Sequence, residues 1–465
     1  MNDLLQAVAR LIRSPAFKLI LVGALVLILL VPIVLVAVLV SDREQRADGV
    51  RTEVAGLWGQ SQLINGPVLI VPYTVLRVTM DHDRRSEEVQ ERRAIFLPDA
   101  LRIKAQANSQ VLHRSIFDVP VYASELSLSG RFAAPQIAEV AAEYQNVRWR
   151  DAVLALAVTD VSGLKTTATA TINNNDIVSF QPSVGASNLN VNGIHVKLSE
   201  ARSLFPTSDG IAASGPLPGF DFQFSLVLNG SSELNFAPVA RETTVELASD
   251  WPHPSFAGAF LPVERSVRAD GFSARWQVPH LARSVPQAWA LQDGGLDRLR
   301  PFAFGARFYV PLDFYGLIGR ATKFGVMFVA TAFMAVFLLE LRGARQVHPV
   351  QYFFVGFAMV FFYVLLLSLA EHIGFTKAYV ASAAATGGML SLYVMRVQAS
   401  AVKGLVMLVL FTLLYGVLYM ILRLEDYALL AGALVGFILL TVTMFTTLRV
   451  EWSGPRATVA ANPAP

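Results

Sequence analysis

Six long apolar runs divide the chain into segments typical of membranes and one long segment typical of water-soluble domains. The first run covers residues 19–40 and contains no charged side chain. As a helix it is long enough to cross a hydrocarbon core of about 30 Å. The other runs crowd the last third of the chain, at residues 324–341, 352–370, 378–395, 404–422 and 427–448. This pattern predicts an α-helical polytopic membrane protein with about six transmembrane helices.

The segment between the first and second runs, residues 41–320, has the pattern of β-strands. Residues 68–80 (VLIVPYTVLRVTM) are rich in β-branched side chains, and residues 220–228 (FDFQFSLVL) alternate apolar and polar positions. Such runs, separated by turn signals such as Asn229-Gly230, are typical of antiparallel strands. Residues 135–144 (PQIAEVAAEY) instead have helical spacing. We therefore predict a large, mainly-β, sandwich-like extracytoplasmic domain with one or two short helices.

The distribution of basic residues sets the expected orientation. If the N-terminus is cytoplasmic, the short inner segments carry nine Lys or Arg residues and the short outer loops carry only Lys377 and Arg423. This asymmetry follows the positive-inside rule and predicts that both termini are cytoplasmic. The predicted parts are a cytoplasmic segment (1–18), an anchor helix (19–40), a periplasmic mainly-β domain (41–320), a five-helix bundle (324–448) and a cytoplasmic tail (449–465). The anchor is expected to stay uncleaved, because its apolar run is longer than the core of a typical signal peptide.

Composition narrows the range of functions. The chain has a formal net charge of +3, but the excess lies beside the apolar runs, since residues 41–323 carry 27 basic and 29 acidic side chains. This balance argues against a nucleic-acid partner. Cysteine is absent, which excludes disulfides, thiol nucleophiles and thiolate metal ligands. The lipid bilayer is the partner that the sequence itself implies.

Sequence motifs of catalysis are scarce. A Ser-x-x-Lys spacing occurs at Ser162 and Lys165, and again at Ser400 and Lys403 on the other side of the predicted membrane. Two unrelated occurrences in one chain indicate chance. The histidines lack the spacing of metal ligands; they are His82, His113, His195, His253, His280, His348 and His372. We predict no catalytic, cofactor-binding or metal-binding residues.

Four polar residues near helix ends form the candidate functional cluster. Glu371 and His372 end the third run, and Glu425 and Asp426 precede the sixth, so all four are expected on the outer membrane face. Ionisable groups at this depth are costly unless they are paired or hydrated. One interpretation is that they are ordinary interfacial charges. The other is a polar hinge that senses or positions the outer domain, with counter-ions among Arg423, Lys323 and Arg320.

Two further features concern the packing of the bundle. Glu340 lies at the inner end of the second run near Arg342, Arg345 and His348, where pairing would be structural. Small residues in the fourth run (Ala381, Ala385, Gly388) and the Gly432-x-x-x-Gly436 motif allow close contact between helices. We therefore expect a compact bundle.

Seven short segments carry a family resemblance. They are residues 66–73 (GPVLIVPY), 119–122 (VPVY), 255–262 (SFAGAFLP), 271–276 (GFSARW), 348–352 (HPVQY), 368–372 (SLAEH) and 425–430 (EDYALL). In this order and on this topology they resemble the inner-membrane CreD family of bacterial cell-envelope proteins, over nearly the whole chain. Two positions depart from the pattern: Arg423 replaces an uncharged polar residue, and Ser115 replaces a glycine. The first departure gives the Glu425 and Asp426 charges a potential local counter-ion.

The resemblance implies a function that composition and spacing do not. Such proteins are envelope-integrity factors of the bacterial inner membrane, linked to two-component signalling and to tolerance of β-lactams and colicins, without an established enzymatic activity. We therefore expect a non-enzymatic protein whose periplasmic domain engages a periplasmic or membrane protein or an envelope polymer. The alternative is a membrane-embedded enzyme or small-solute transporter that uses the outer-face acidic residues.

Overall fold

The computed structural model describes residues 15–81, 84–186, 189, 191–205, 207–208, 211–212, 215–308, 314–341, 346–424 and 427–448. The chain forms two compact units, which we call the membrane unit (Met1–Asp48 with Leu312–Pro465) and the β unit (Gly49–Pro311). The membrane unit is thus built from the two ends of the chain.

Seven α-helices are described. They are α1 (Pro15–Trp58), α2 (Phe314–Lys323), α3 (Gly325–Leu341), α4 (Pro349–Ile373), α5 (Phe375–Val397), α6 (Ala401–Arg423) and α7 (Ala428–Thr447). Among the described residues, five helices are long and apolar enough to cross a membrane, and six if α2 and α3, bent by 48° at their junction, form one broken span. The prediction of a polytopic membrane protein is confirmed.

Helix α1 continues beyond the predicted anchor. The expected β segment began at residue 41, whereas α1 extends to Trp58. The sequence of residues 41–58 is rich in Arg, Glu and Ala, which are good helix formers. Extending an existing helix needs no new nucleus, so the helix continues where its apolar run ends. Arg43 and Arg46 therefore lie on a helix, not on a strand.

Buried aromatic rings fill the interior of the membrane unit where α4, α5 and α6 pack together. The ring centroid of Phe362 lies 4.6 Å from that of Tyr415 and 5.5 Å from that of Tyr379. Tyr379 donates a hydrogen bond to the backbone carbonyl of Tyr415 at 2.6 Å, and Thr386 donates to the Tyr415 hydroxyl at 3.1 Å. These bonds satisfy polar groups that would be costly inside an apolar bundle.

Only some of the small residues that were expected at helix contacts lie at one. Gly432 does allow a close contact, because a Cβ atom there would lie 2.5 Å from the Phe324 ring, whereas one at Gly436 would lie 3.6 Å from the Met327 sulfur, an ordinary distance. By contrast, Ala381 and Ala385 on α5 are exposed. A Cβ atom added at Gly388 would meet no atom within 4 Å. On this face of α5 the small side chains leave open space instead of a tight helix contact.

The described residues of the β unit form twenty strands. They are β1 (Gln62–Asp81), β2 (Arg84–Phe96), β3 (Ala100–Arg114), β4 (Phe117–Phe132), β5 (Tyr144–Val147), β6 (Val153–Val158), β7 (Thr169–Ile172), β8 (Asp176–Ser179), β9 (Gln181–Pro182), β10 (Gly193–Lys197), β11 (Thr207–Ser208), β12 (Ile211–Ala212), β13 (Phe220–Ser231), β14 (Glu233–Phe236), β15 (Glu242–Ser249), β16 (Pro254–Gly258), β17 (Glu264–Arg268), β18 (Gly271–Pro279), β19 (Ala288–Ala290) and β20 (Phe304–Phe308). They form a 10-stranded, an 8-stranded and a 2-stranded sheet. The prediction of a mainly-β domain is confirmed.

The large hydrophobic core of the β unit lies between the two large sheets. The alternation of β13 is used as expected, since Phe220, Phe222 and Phe224 are buried and the residues between them are exposed. Rings from the two sheets meet across the core: the centroids of Tyr122 on β4 and Phe308 on β20 lie 4.7 Å apart. Side chains from both inner faces thus interdigitate, as in a sandwich.

Among the described pairings, each large sheet has one parallel pair of strands, which makes both sheets mixed. The antiparallel prediction holds for most neighbours, but β1 pairs in parallel with β14, and β3 with β15. Strand β6, between β1 and β10, is buried at all six positions, as strands covered on both faces are.

Residues 135–144 form less helix than their spacing predicts. The described helical turn is a short 3₁₀ helix at Ile137–Glu139, followed by strand β5, which pairs with β1. Only Ile137 in this turn is buried. A segment this short cannot offset the cost of helix nucleation without a larger buried face.

Arg283 is a buried cation in the β unit. Its guanidinium donates to the backbone carbonyls of Val285 at 2.9 Å and Val239 at 3.1 Å, and to the side-chain oxygen of Gln287. All three acceptors are neutral. Burial lowers the pKa of Arg283 to about 10. The side chain therefore connects two loops through hydrogen bonds and not through an ion pair.

Candidate functional site

Glu371, in the last turn of α4, is the described member of the predicted cluster whose side chain is buried and hydrogen-bonded to other helices. Its side chain is 5% exposed. One carboxylate oxygen accepts from Arg43 Nε at 2.9 Å and from the Tyr315 hydroxyl at 3.0 Å, and the other accepts from Arg43 Nη2 at 2.5 Å. Two parallel bonds from one guanidinium make a strong, directional pair. Glu371 is thus neutralised and largely saturated with hydrogen bonds.

Sequence reasoning did not identify Arg43 as the partner of Glu371. The expected counter-ions were Arg423, Lys323 and Arg320, because they lie close to the cluster in sequence or at the same membrane face. Arg43 is 328 residues away, and it was assigned to the β segment. The signal that could have found it is the helical character of residues 41–58, which places Arg43 on α1 just beyond the apolar run.

The other members of the cluster take no described part in this pair. The side chain of His372 is exposed at the end of α4, and Glu425 and Asp426 lie outside the described residues. Arg423 donates to the Tyr419 hydroxyl at 2.9 Å and to the Thr376 hydroxyl at 3.1 Å. The structure therefore joins Glu371 to α1 and α2, and the joining of all four residues stays a prediction.

Glu340 near the end of α3 has a similar environment. Its side chain is 8% exposed and forms an ion pair with Lys18 on α1. It also accepts from the Tyr352 hydroxyl at 2.8 Å and from the backbone N–H of Val347 at 3.0 Å. Lys18 donates in addition to the carbonyl of Val347 at 2.8 Å. Pairing of Glu340 was expected with the neighbouring Arg342, Arg345 or His348, whereas the described cation again comes from α1.

The two ion pairs hold α1 at two levels of the membrane unit. Lys18 and Arg43 are separated by about 37 Å along a helix with a rise of 1.5 Å per residue. That distance exceeds the hydrocarbon core of about 30 Å. Each pair combines a basic residue of α1, a buried glutamate and a tyrosine. Such pairs position helices. Each carboxylate already accepts three hydrogen bonds and therefore has little capacity left for a substrate or a proton.

The Ser-x-x-Lys spacings have structural roles in the fold. Ser162 donates to Asp160 at 2.7 Å within a 3₁₀ turn, and the Lys165 ammonium lies 6.0 Å from the centre of the Trp58 ring. Ser400 caps α6 by accepting from the backbone N–H of Lys403 at 3.4 Å. Neither serine is hydrogen-bonded to its lysine side chain in the contacts described. Among the described residues, no group of three or more His, Asp or Glu side chains could hold a metal ion.

The 8-stranded sheet carries a polar depression on the β unit, which we call the trough. It encloses about 990 Å³ and crosses strands β3, β4, β13, β15, β17 and β18. Its charged side chains are Lys104, Glu125, Glu246, Glu264, Arg265 and Arg275. Between them lie hydroxyl and amide groups; these are Gln106, Ser127, Thr166, Ser225, Ser266 and Ser273. The trough presents both signs of charge and many hydrogen-bonding groups to solvent.

Sequence alternation creates the lining of the trough. On β3, Ala105 and Ala107 point into the core, so Lys104 and Gln106 point to the opposite, solvent-facing side. The same period of two brings Ser225 on β13 and Glu125 on β4 to this side. Sequence analysis did not predict the trough, because its six strands come together only through their pairing order.

Comparison with known proteins agrees with this architecture. Residues 14–453 match the family described as "Inner membrane protein CreD". The chain is also 29% identical to the protein of that name from Escherichia coli (strain K12) over 444 residues, which are 95% of either chain. The match includes both units, from the start of α1 to beyond the end of α7. The chain therefore belongs to the CreD family of multi-pass inner membrane proteins.

Proposed function

We propose that the chain is a non-enzymatic protein of the bacterial inner membrane that supports cell-envelope integrity and tolerance of β-lactams and colicins. In this proposal both termini are cytoplasmic, and the β unit is a periplasmic interaction module. Its partner is a periplasmic or membrane protein segment or an envelope polymer. Family membership supports the membrane assignment, and the distribution of basic residues supports the orientation.

The trough is the observation that carries this proposal. A depression of about 990 Å³ lies at the upper end of the size range of ligand sites in proteins. Because basic and acidic side chains alternate with hydroxyls across it, the surface fits an extended polar chain with hydrogen-bonding groups along its length. The near balance of charge in the β segment also makes nucleic acid a poor occupant.

The surroundings of Glu371 weigh against the alternative of an enzyme or transporter that uses the outer-face carboxylates. A catalytic or ion-coupling carboxylate needs access to its substrate or to water. Glu371 is instead 5% exposed and bound by Arg43 and Tyr315. It serves the packing of α4 against α1 and α2.

Charge reversal in the trough tests the proposal. The double variant Glu125→Lys, Glu246→Lys changes the recognition surface without disturbing the core, because both residues face away from it. Cells carrying it in place of the wild type should lose β-lactam tolerance to the level of cells that lack the protein. The matched control is Glu139→Lys, Glu143→Lys, which alters two exposed glutamates outside the trough.

Protein abundance in the membrane is measured for each strain by immunoblot. Tolerance should be lost only in the trough variant, at unchanged abundance. Wild-type survival of the trough variant would contradict the proposal, as would equal loss in trough and control variants.

A further inference from the structure

A lateral groove lies between α5 and α6 in the membrane unit. It encloses about 560 Å³ and is lined on α5 by small and aromatic residues that include Tyr379, Ala383 and Gly387. On α6 its lining runs from Tyr419 to Leu408. The two helices meet where the Tyr379 hydroxyl donates to the backbone carbonyl of Tyr415, while Gly388 and Gly416 beside this contact leave the space open.

The groove opens toward the lipid. Val380 and Leu408 on its rim are 62% and 41% exposed, and in a multi-pass membrane protein such apolar side chains face acyl chains. From Tyr419 to Leu408 the groove extends for about 16 Å along α6. One leaflet contributes about 15 Å to the hydrocarbon core. The groove therefore has the length and the polarity of a site for acyl chains of a single leaflet.

A fixed cation lies at the end of the groove that reaches the membrane surface. Arg423, the last residue of α6, donates to the hydroxyls of Tyr419 and Thr376, and both of these residues line the groove. Its guanidinium also lies 5.4 Å from the centre of the Tyr419 ring. Both partners are neutral, so among the contacts of the described residues the guanidinium is oriented without forming an ion pair. Arginine held in this way is well suited to a phosphate group.

From this geometry we propose that the groove binds one phospholipid of the surrounding bilayer. The acyl chains lie along α5 and α6, and the headgroup phosphate accepts hydrogen bonds from Arg423. The length of the groove, its exposure to lipid and the cation at its surface end all indicate the same occupant. The proposal does not depend on the function proposed for the β unit.

Native mass spectrometry of the delipidated full-length protein in detergent tests the site. The two probes are phosphatidylglycerol and a diacylglycerol with the same acyl chains, which lacks the phosphate. Wild-type protein should bind the first phosphatidylglycerol about tenfold more tightly than diacylglycerol, as expected for charge-assisted hydrogen bonds. Arg423→Gln should remove this difference, whereas Lys323→Gln, which alters another exposed cation of the membrane unit, should keep it.

Filling the groove tests the acyl-chain site separately. Gly388→Leu and Gly416→Leu add a side chain where the groove is open, because a Cβ atom at either position meets no other atom within 4 Å. Both should weaken binding of both lipids about fivefold or more, by displacing buried acyl methylenes. Gly23→Leu on α1 is the matched control, since its Cβ also meets nothing within 4 Å.

Three results would overturn the proposal. They are equal affinity of the wild type for the two lipids, unchanged discrimination in Arg423→Gln, and wild-type phosphatidylglycerol affinity in the two leucine variants. Thermal melts verify the fold of each variant. If a leucine variant fails to fold, the arginine variant and the diacylglycerol comparison still decide the outcome.

Discussion

Glu340 and Glu371 illustrate what sequence can and cannot reveal at the scale of single residues. A carboxylate at the end of an apolar run is visible in the sequence, because its charge is costly there and demands a partner. Sequence therefore pointed to both glutamates. Their partners, Lys18 and Arg43, were not predictable, since they lie 322 and 328 residues away and depend on how α1 is placed in the bundle.

The Arg43–Glu371 pair should behave as a coupled unit. Glu371→Leu and Arg43→Leu should each lower the free energy of unfolding by about 1–3 kcal/mol, because each leaves a polar group without its partner. The double variant Arg43→Leu, Glu371→Leu should cost less than the sum of the two, because no charge remains in apolar surroundings. Thermal or denaturant unfolding in detergent provides the measurement.

A neighbouring, exposed ion pair of α1 provides the control for this comparison of single and double variants. Asp42 and Arg46 are 51% and 64% exposed and lie 3.1 Å apart at helical spacing. Asp42→Asn should change the stability by no more than about 0.5 kcal/mol. Additive effects of Arg43→Leu and Glu371→Leu would show that the two residues are not energetically coupled.

The contribution of Arg283 to the stability of the β unit should depend on the planar geometry of its guanidinium. Arg283→Met should destabilise the β unit by about 1–3 kcal/mol, since the carbonyls of Val239 and Val285 lose their donor. Arg283→Lys should rescue little, because one ammonium cannot reproduce the planar fork. Tryptophan fluorescence during urea unfolding reports on this unit. Arg102→Met, an exposed position on β3, should stay within about 0.5 kcal/mol of the wild type.

At the scale of elements, the sequence predicted what depends on local period. The apolar spans and the alternation of β13 follow from side chains a few residues apart, and both were predicted. The parallel pairs β1–β14 and β3–β15 were not, since partner choice among twenty strands depends on the whole sheet. The extension of α1 beyond residue 40 was missed because the β segment was taken to begin where the apolar run ends, although a helix can continue into a polar segment.

Gly356 on α4 lies at a tight contact between three helices of the membrane unit. A Cβ atom at this position would overlap the Leu29 methyl of α1 and would lie 2.6 Å from the Phe333 ring of α3. Gly356→Val should therefore destabilise the bundle by about 1–3 kcal/mol through overpacking. Gly23→Val makes the same chemical change where no atom lies within 4 Å and should melt like the wild type. Equal melting of the two variants would mean that α4 can move away from α1 at little cost.

At the scale of the whole molecule, the two-unit organisation follows from the distribution of apolar runs. The orientation of the chain in the membrane is a prediction that remains to be measured. Reporter fusions at Gly130, Gly343 and Pro465 test it. We expect only the fusion at Gly130 to report a periplasmic location. The short segments predicted to be cytoplasmic carry most of the Lys and Arg residues that flank the spans. A cytoplasmic signal at Gly130 would contradict the orientation and, with it, the assignment of the trough to the periplasm.

Because the membrane unit is assembled from both ends of the chain, α1 is synthesised long before the helices that it pairs with. Lys18 emerges from the ribosome 322 residues before Glu340, which at about 5–20 residues per second amounts to roughly 15–65 s of synthesis. During that interval α1 has to persist in the bilayer as a solitary helix, without its glutamate partners. Its uninterrupted apolar run, with Lys18 and Arg43 beyond the two ends, suits a helix that must first survive alone. A nascent chain released before residue 340 would thus leave an anchored fragment that lacks both glutamate partners of α1.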